Sequence, residues 1–129
     1  MKIYLSAEWK IKDVKKRFEK SFPYLKLEFF RKKHAPGKGN LKRDIVPGSA
    51  TLIEISGVMK EGEIEINPRQ TVADIEQQFQ KGFNLPVQVF RKTKFSWIET
   101  IRTDKLTLEK QNLMGRQDCG SVFNREILL

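Results

Sequence analysis

One histidine and one cysteine are all this chain contains of the side chains most used for nucleophilic and metal chemistry. His34 stands in a glycine- and proline-rich stretch with no acid before Asp44, so nothing nearby in sequence orients or charges its imidazole. Cys119 lies between Asp118 and Gly120, with no second cysteine and no neighbouring histidine. A nucleophile needs an adjacent base, and a structural zinc needs four ligands; neither set can be assembled here. The patterns GxSxG, HExxH and CxxC are absent. The run PGKGN at 36–40 places glycines around a lysine, but it lacks the spacing of a phosphate loop and no strand leads into it. Glu63 and Glu65 alternate on one strand face, the ordinary solvent-facing pattern. The expectation is no catalytic residues, no metal, no cofactor and no enzymatic activity.

Binding chemistry is better represented. The formal net charge is +9, and it is unevenly placed. Residues 1–50 hold fourteen Lys/Arg against five Asp/Glu, whereas the rest of the chain holds eleven of each. Arg31, Lys32, Lys33, Lys38, Lys42 and Arg43 supply six cations with no acid among them, beside Phe29 and Phe30, and Lys12, Lys15 and Lys16 lie a little upstream. Cations among glycines can follow a phosphate backbone without reading bases. A sequence-tolerant nucleic-acid contact is therefore one expectation for this loop; plain solvated surface is the other.

The elements that position these residues come from a duplication. Residues 2–32 and 63–92 align with matched apolar positions: Ile3 with Ile64, Leu5 with Ile66, Val14 with Ile75, Phe18 with Phe79, and Phe30-Arg31-Lys32 with Phe90-Arg91-Lys92. Such a repeat indicates two copies of one supersecondary unit. Each copy reads strand, helix, strand. Ile3 and Leu5 alternate as in a half-buried strand; Ile11, Val14 and Phe18 recur at helical spacing over 11–22; Leu25, Leu27 and Phe29 alternate again. In the second copy Thr71 and Asp74 have the spacing of a capping box, Val72, Ile75 and Phe79 form the stripe, and Gly82 suits a left-handed turn at the helix end. Pro86 opens a strand over 87–91, and 95–101 could pair with it as a hairpin.

Between the copies, 33–50 is a basic Gly/Pro loop. Residues 51–56 read either as a short strand or as a turn of helix, and Thr51-Leu52 recurs as Thr107-Leu108. Only the closing EILL of 113–129 looks ready to pack. At 129 residues the chain is expected to form one domain. Two strand–helix–strand units predict an α+β, ferredoxin-like sandwich, a four-stranded antiparallel sheet with both helices on one face. If 51–56 is a strand, residues 51–129 could instead form a ubiquitin-like β-grasp with an N-terminal extension.

In the ferredoxin-like arrangement the open sheet face carries Tyr4, Phe30 and Phe90, which predicts a protein interface, either with a second copy or with another protein. Base stacking of the RRM kind is disfavoured, because its third-strand signature would fall on 63–67, which reads EIEIN. The leading expectation is a non-catalytic interaction module with an unknown protein partner or as a homodimer, and nucleic-acid binding is the alternative. No apolar run reaches the roughly 20 residues that cross a bilayer, so no membrane partner is expected. The N-terminus does not read as a signal peptide, and a lone cysteine suits a reducing cytoplasm.

The stretch FPYLKLEFFRKKH at 22–34, VQVFRK at 87–92 and WIET…TDKLTLEKQN at 97–112 resemble a group of short proteins from Bacteroidetes bacteria. The resemblance covers about residues 1–112 and implies a small cytoplasmic bacterial protein. It brings no activity, catalytic residue or ligand with it.

Overall fold

A computed structural model describes residues 1–31 and 44–128, with side chains through residue 120. The protein is α+β, of the class expected for a ferredoxin-like arrangement of duplicated strand–helix–strand units. The order is β1 (Lys2–Leu5), α1 (Ile11–Ser21), β2 (Leu25–Phe29), α2 (Leu52–Ser56), β3 (Gly62–Glu65), α3 (Val72–Phe83), β4 (Val87–Lys92), β5 (Trp97–Glu99), a 3-10 turn (Ile101–Thr103) and α4 (Leu108–Leu128).

The strands do not form the single four-stranded sheet expected. β1 pairs with β3 as a two-stranded antiparallel ribbon, while β2, β4 and β5 form a separate antiparallel sheet in that order. Corresponding strands of the two copies thus pair with each other: Ile3 lies across from Ile64, and Leu27 across from Val89. The residues that alternation assigned to the core are buried, including Ile3, Leu5, Leu27, Phe29, Ile64, Ile66, Val87 and Val89. Phe18 of α1 and Phe79 of α3 complete it, both fully buried, and the Phe79 ring meets Phe29 edge-on with centroids 6.0 Å apart. One continuous apolar cluster draws on both copies.

Matched positions also make matched backbone hydrogen bonds to residues beyond the aligned segments. The amide of Leu52 donates to the Trp9 carbonyl, and that of Leu108 to Gln70; Ile11 donates to Ala50, and Val72 to Leu106; Lys12 donates to Gly48, and Ala73 to Asp104. Each copy therefore ends in a helix that docks beside the start of its own first helix. Thr51 opens α2 by accepting from the Glu54 amide while Glu54 accepts from the Thr51 amide. Thr107 accepts from the Lys110 amide at the start of α4.

Residues 51–56 are thus helical, and the β-grasp alternative, which required a strand there, falls. The reciprocal cap decides it, because it satisfies two amides that a lone short strand would leave unpaired. The expected cap of α3 is present, with Thr71 and Asp74 exchanging hydrogen bonds of 3.1 Å. The left-handed residue after α3 is Asn84 (φ 53°), not Gly82, which stays inside the helix. Asparagine is among the residues that adopt this conformation most readily, and the Asn84 side-chain amide is held across the fold by the Ser56 carbonyl at 2.8 Å. The tail is helical well before EILL, since α4 runs Leu108–Leu128 and packs Leu108 and Gln111 fully buried.

Candidate functional site

In the β2–β4–β5 sheet, side chains on alternate positions face the core or face away from it. Leu27, Phe29, Val87 and Val89 face inward. On the opposite, outer face the row formed by Glu28 and Gln88 is buried, and the accessible part is built from two adjoining rows. Lys26, Phe90 and Glu99 are direct neighbours across the three strands, and Lys92 and Trp97 are neighbours in the next row. Lys26 lies between the aromatic rings, its Nζ 4.8 Å from the Trp97 centroid and 5.6 Å from that of Phe90. Both rings are half-buried, while Lys92 and Glu99 are exposed. At the hairpin tip Phe95 is 88% exposed with the Lys94 ammonium 5.0 Å from its ring centre. The tip is a tight turn, in which Thr93 exchanges three hydrogen bonds with Ser96.

The sheet edge beyond β5 is completed by side chains. The Val89 amide donates to Glu76 Oε2 at 3.0 Å, and the Thr100 hydroxyl donates to the Val89 carbonyl at 2.8 Å. β4 is therefore held on both edges along its length, which fixes the platform on which Phe90 stands. Glu28, the one acid further along the outer face of β2, is taken up by an ion pair with Lys15 of α1.

The three aromatics expected to share one face do not form a patch. Tyr4 is 54% exposed but sits on the β1–β3 ribbon. Phe30 is buried at 1% exposure; its backbone bridges to Ile45 and its amide donates a hydrogen bond to the Pro86 carbonyl. Phe90 alone contributes to the outer face. Sequence alternation placed Phe30 on the open face, but its side chain is buried, and residues 44–46 pair with the backbone at the end of β2. Of the basic loop, Arg31 is exposed just past the end of β2. Lys32, Lys33, Lys38, Lys42 and Arg43, with His34 and the PGKGN run, lie outside the described residues. Lys12 and Lys16 are exposed on α1. Cys119 is partly buried, its thiol 3.4 Å from the Thr93 carbonyl.

Lys26, Lys92 and Trp97 were not singled out from sequence. The available signal was the period of two in LKLEFF and VQVFRK, together with a turn before Trp97. Once β5 pairs with β4, Trp97 must share a face with Phe90, but that pairing was only one option for 95–101.

Glu63 and Glu65, which counted against a nucleic-acid-binding sheet face, lie on the separate β1–β3 ribbon. Among the described residues no group of three or more His, Cys, Asp or Glu is placed to hold a metal ion, and no helix is long and apolar enough to cross a membrane. No family model, curated protein or solved structure matches this chain.

Proposed function

We propose that this protein is a non-catalytic binding module that holds single-stranded nucleic acid, without reading its sequence, on the outer face of the β2–β4–β5 sheet. The observation that carries this reading is the placement of Lys26 between Phe90 and Trp97, with Lys92 beside them. Single strands bind where cations track phosphates and aromatic rings accept the faces of successive bases. A base stacking on Trp97 displaces the Lys26 ammonium from the ring and leaves it free to meet the adjoining phosphate. The net charge of +9 adds long-range attraction. A chain with one thiol, and so no internal disulfide, supports a reducing, cytoplasmic setting.

Labelled single strands and duplexes titrated across several salt concentrations test the proposal. Single strands should bind more tightly than duplex, with a salt slope of about −0.7 per contacted phosphate. Lys26→Glu and Trp97→Ala should each weaken binding while leaving the melting temperature nearly unchanged. Lys12→Glu, an equal change of charge on α1, is the control. Losing as much affinity through Lys12 as through Lys26 would mean general attraction, and the face would then have no special role.

A second reading, association between copies, is favoured by Tyr4, exposed on a ribbon whose two strands have no other strand partner among the described residues. Sedimentation as a monomer at high concentration would remove it.

A further inference from the structure

The arginines of the duplicated Phe-Arg-Lys tripeptide lie in very different surroundings. Arg31 is exposed, whereas Arg91 is only 9% exposed. The Arg91 guanidinium is held in place from α4. Its Nη1 donates to Gln111 Oε1 at 2.7 Å and lies 3.7 Å from the sulfur of Met114. Gln111 is fully buried and is fixed in turn, its Nε2 donating to the Thr103 carbonyl at 2.6 Å and to the Thr103 hydroxyl at 2.8 Å. Gly115 lets α4 come this close, since a Cβ there would lie 2.8 Å from Cβ of Tyr24 and 3.2 Å from Cγ of Arg91.

Among the described residues this arginine has no anion beside it. Its Nε is buried without a hydrogen-bond partner, and among the described residues no carboxylate pairs with it. A buried cation without counter-charge is strongly disfavoured, and a guanidinium presents parallel donors that match a carboxylate. Arg91 also borders a cleft of about 340 Å³, lined with Ile98, Glu99, Ile101, Arg102 and Thr103. Arg102 is exposed at this cleft and adds a second positive charge, while Ile98, 40% exposed, and Ile101 offer apolar walls. Glu99 pairs across from Phe90, so strand alternation directs its side chain to the other face of the sheet.

We propose that this cleft binds a carboxylate carried on a small aliphatic body, with Arg91 and Arg102 taking the charge and the two isoleucines the apolar part. The same chemistry is offered by a free aliphatic acid and by the C-terminus of a peptide ending in an aliphatic residue. The cleft lies on the side of β4–β5 away from Phe90 and Trp97, so the inference does not rest on the nucleic-acid reading.

The test uses the full chain, isotope-labelled, with the Arg91 Nε–H and the Ile98 and Ile101 methyl signals followed by NMR. Hexanoate, 1-hexanol and inorganic phosphate are titrated separately. A peptide ending in leucine is compared with its amidated form. Hexanoate should move all three signals together and saturate with a Kd on the order of 1 mM. Hexanol should not reproduce the Arg91 shift. Arg102→Glu, an exposed change that leaves the fold intact, should raise the Kd at least about fivefold. Competition by the free-carboxylate peptide but not the amidated one assigns the site to chain ends. No competition by either, with hexanoate still binding, assigns it to free acids. The inference is overturned if the Arg91 signal shows no saturable shift, if hexanol acts as strongly as hexanoate, or if phosphate binds more tightly than hexanoate.

Discussion

Truncating Phe79 to alanine removes the largest fully buried side chain of α3 from the centre of the molecule. Its ring stands edge-on to Phe29 at 86° with centroids 6.0 Å apart, so the variant loses an aromatic contact as well as buried area. Phenylalanine truncations in cores cost about 3–5 kcal/mol, of which a well-placed aromatic pair supplies roughly 0.5–1.5. Phe18→Ala should cost less within that range. Its ring neighbour Phe22, 5.2 Å away, is 5% exposed near the helix end and can relax into the space. Phe29 sits within a hydrogen-bonded strand pair and cannot move so easily. For a chain of 129 residues the expected loss lowers the melting temperature by roughly 11–18 °C. Urea melts of both variants, with the slope unchanged from the parent, are the measurement. A loss below about 1 kcal/mol at either position would refute the assignment of these two rings to equivalent places in one core.

Two glycines in helices should respond in opposite directions. Gly115→Ala should destabilise by about 1–3 kcal/mol, because the new Cβ would lie 2.8 Å from Tyr24 Cβ and 3.1 Å from its carbonyl oxygen. Gly82→Ala should stabilise by up to about 1 kcal/mol, since nothing lies within 4 Å of the added carbon. Thermal melts of the pair decide both, and a shift in the same direction would contradict the packing of α4 against Tyr24. Removing the α3 cap with Thr71→Ala should cost about 1 kcal/mol in urea melts, because it takes away the hydroxyl that accepts from the Asp74 amide at 3.1 Å. Trp97→Ala should weaken single-strand binding by roughly 5- to 150-fold, the value of about 1–3 kcal/mol for one stacked base.

Local signals placed most of the elements. The alternation of Ile3 with Leu5 and of Leu25, Leu27 and Phe29 is a backbone property of strands, and the spacing of Ile11, Val14 and Phe18 one of helices, so both survive any tertiary arrangement. The Thr71–Asp74 pair works within a single turn and was equally legible. Thr51–Glu54 forms the same box at 51–56, where the apolar run LIEI suggested a strand as readily as a helix. The outer face was half legible. Phe90 was assigned to it correctly, but Tyr4 and Phe30 were grouped with Phe90 on the assumption of one continuous sheet.

The α+β class, the paired units, the buried stripes and the concentration of positive charge in residues 1–50 were all readable from the order of residues alone. These depend on composition and on contacts a few residues apart. Tertiary packing selected the pairing of β1 with β3 and of β2 with β4, the burial of Phe30, and the burial of Arg91 beside α4 while its counterpart Arg31 stays exposed. Those outcomes depend on which of several similar strands meet and on which glycine allows a helix to approach. Two identical Phe-Arg-Lys tripeptides therefore carry the same local information while their arginines meet different fates, because burial is set by the segments that pack over a residue rather than by its neighbours in the chain.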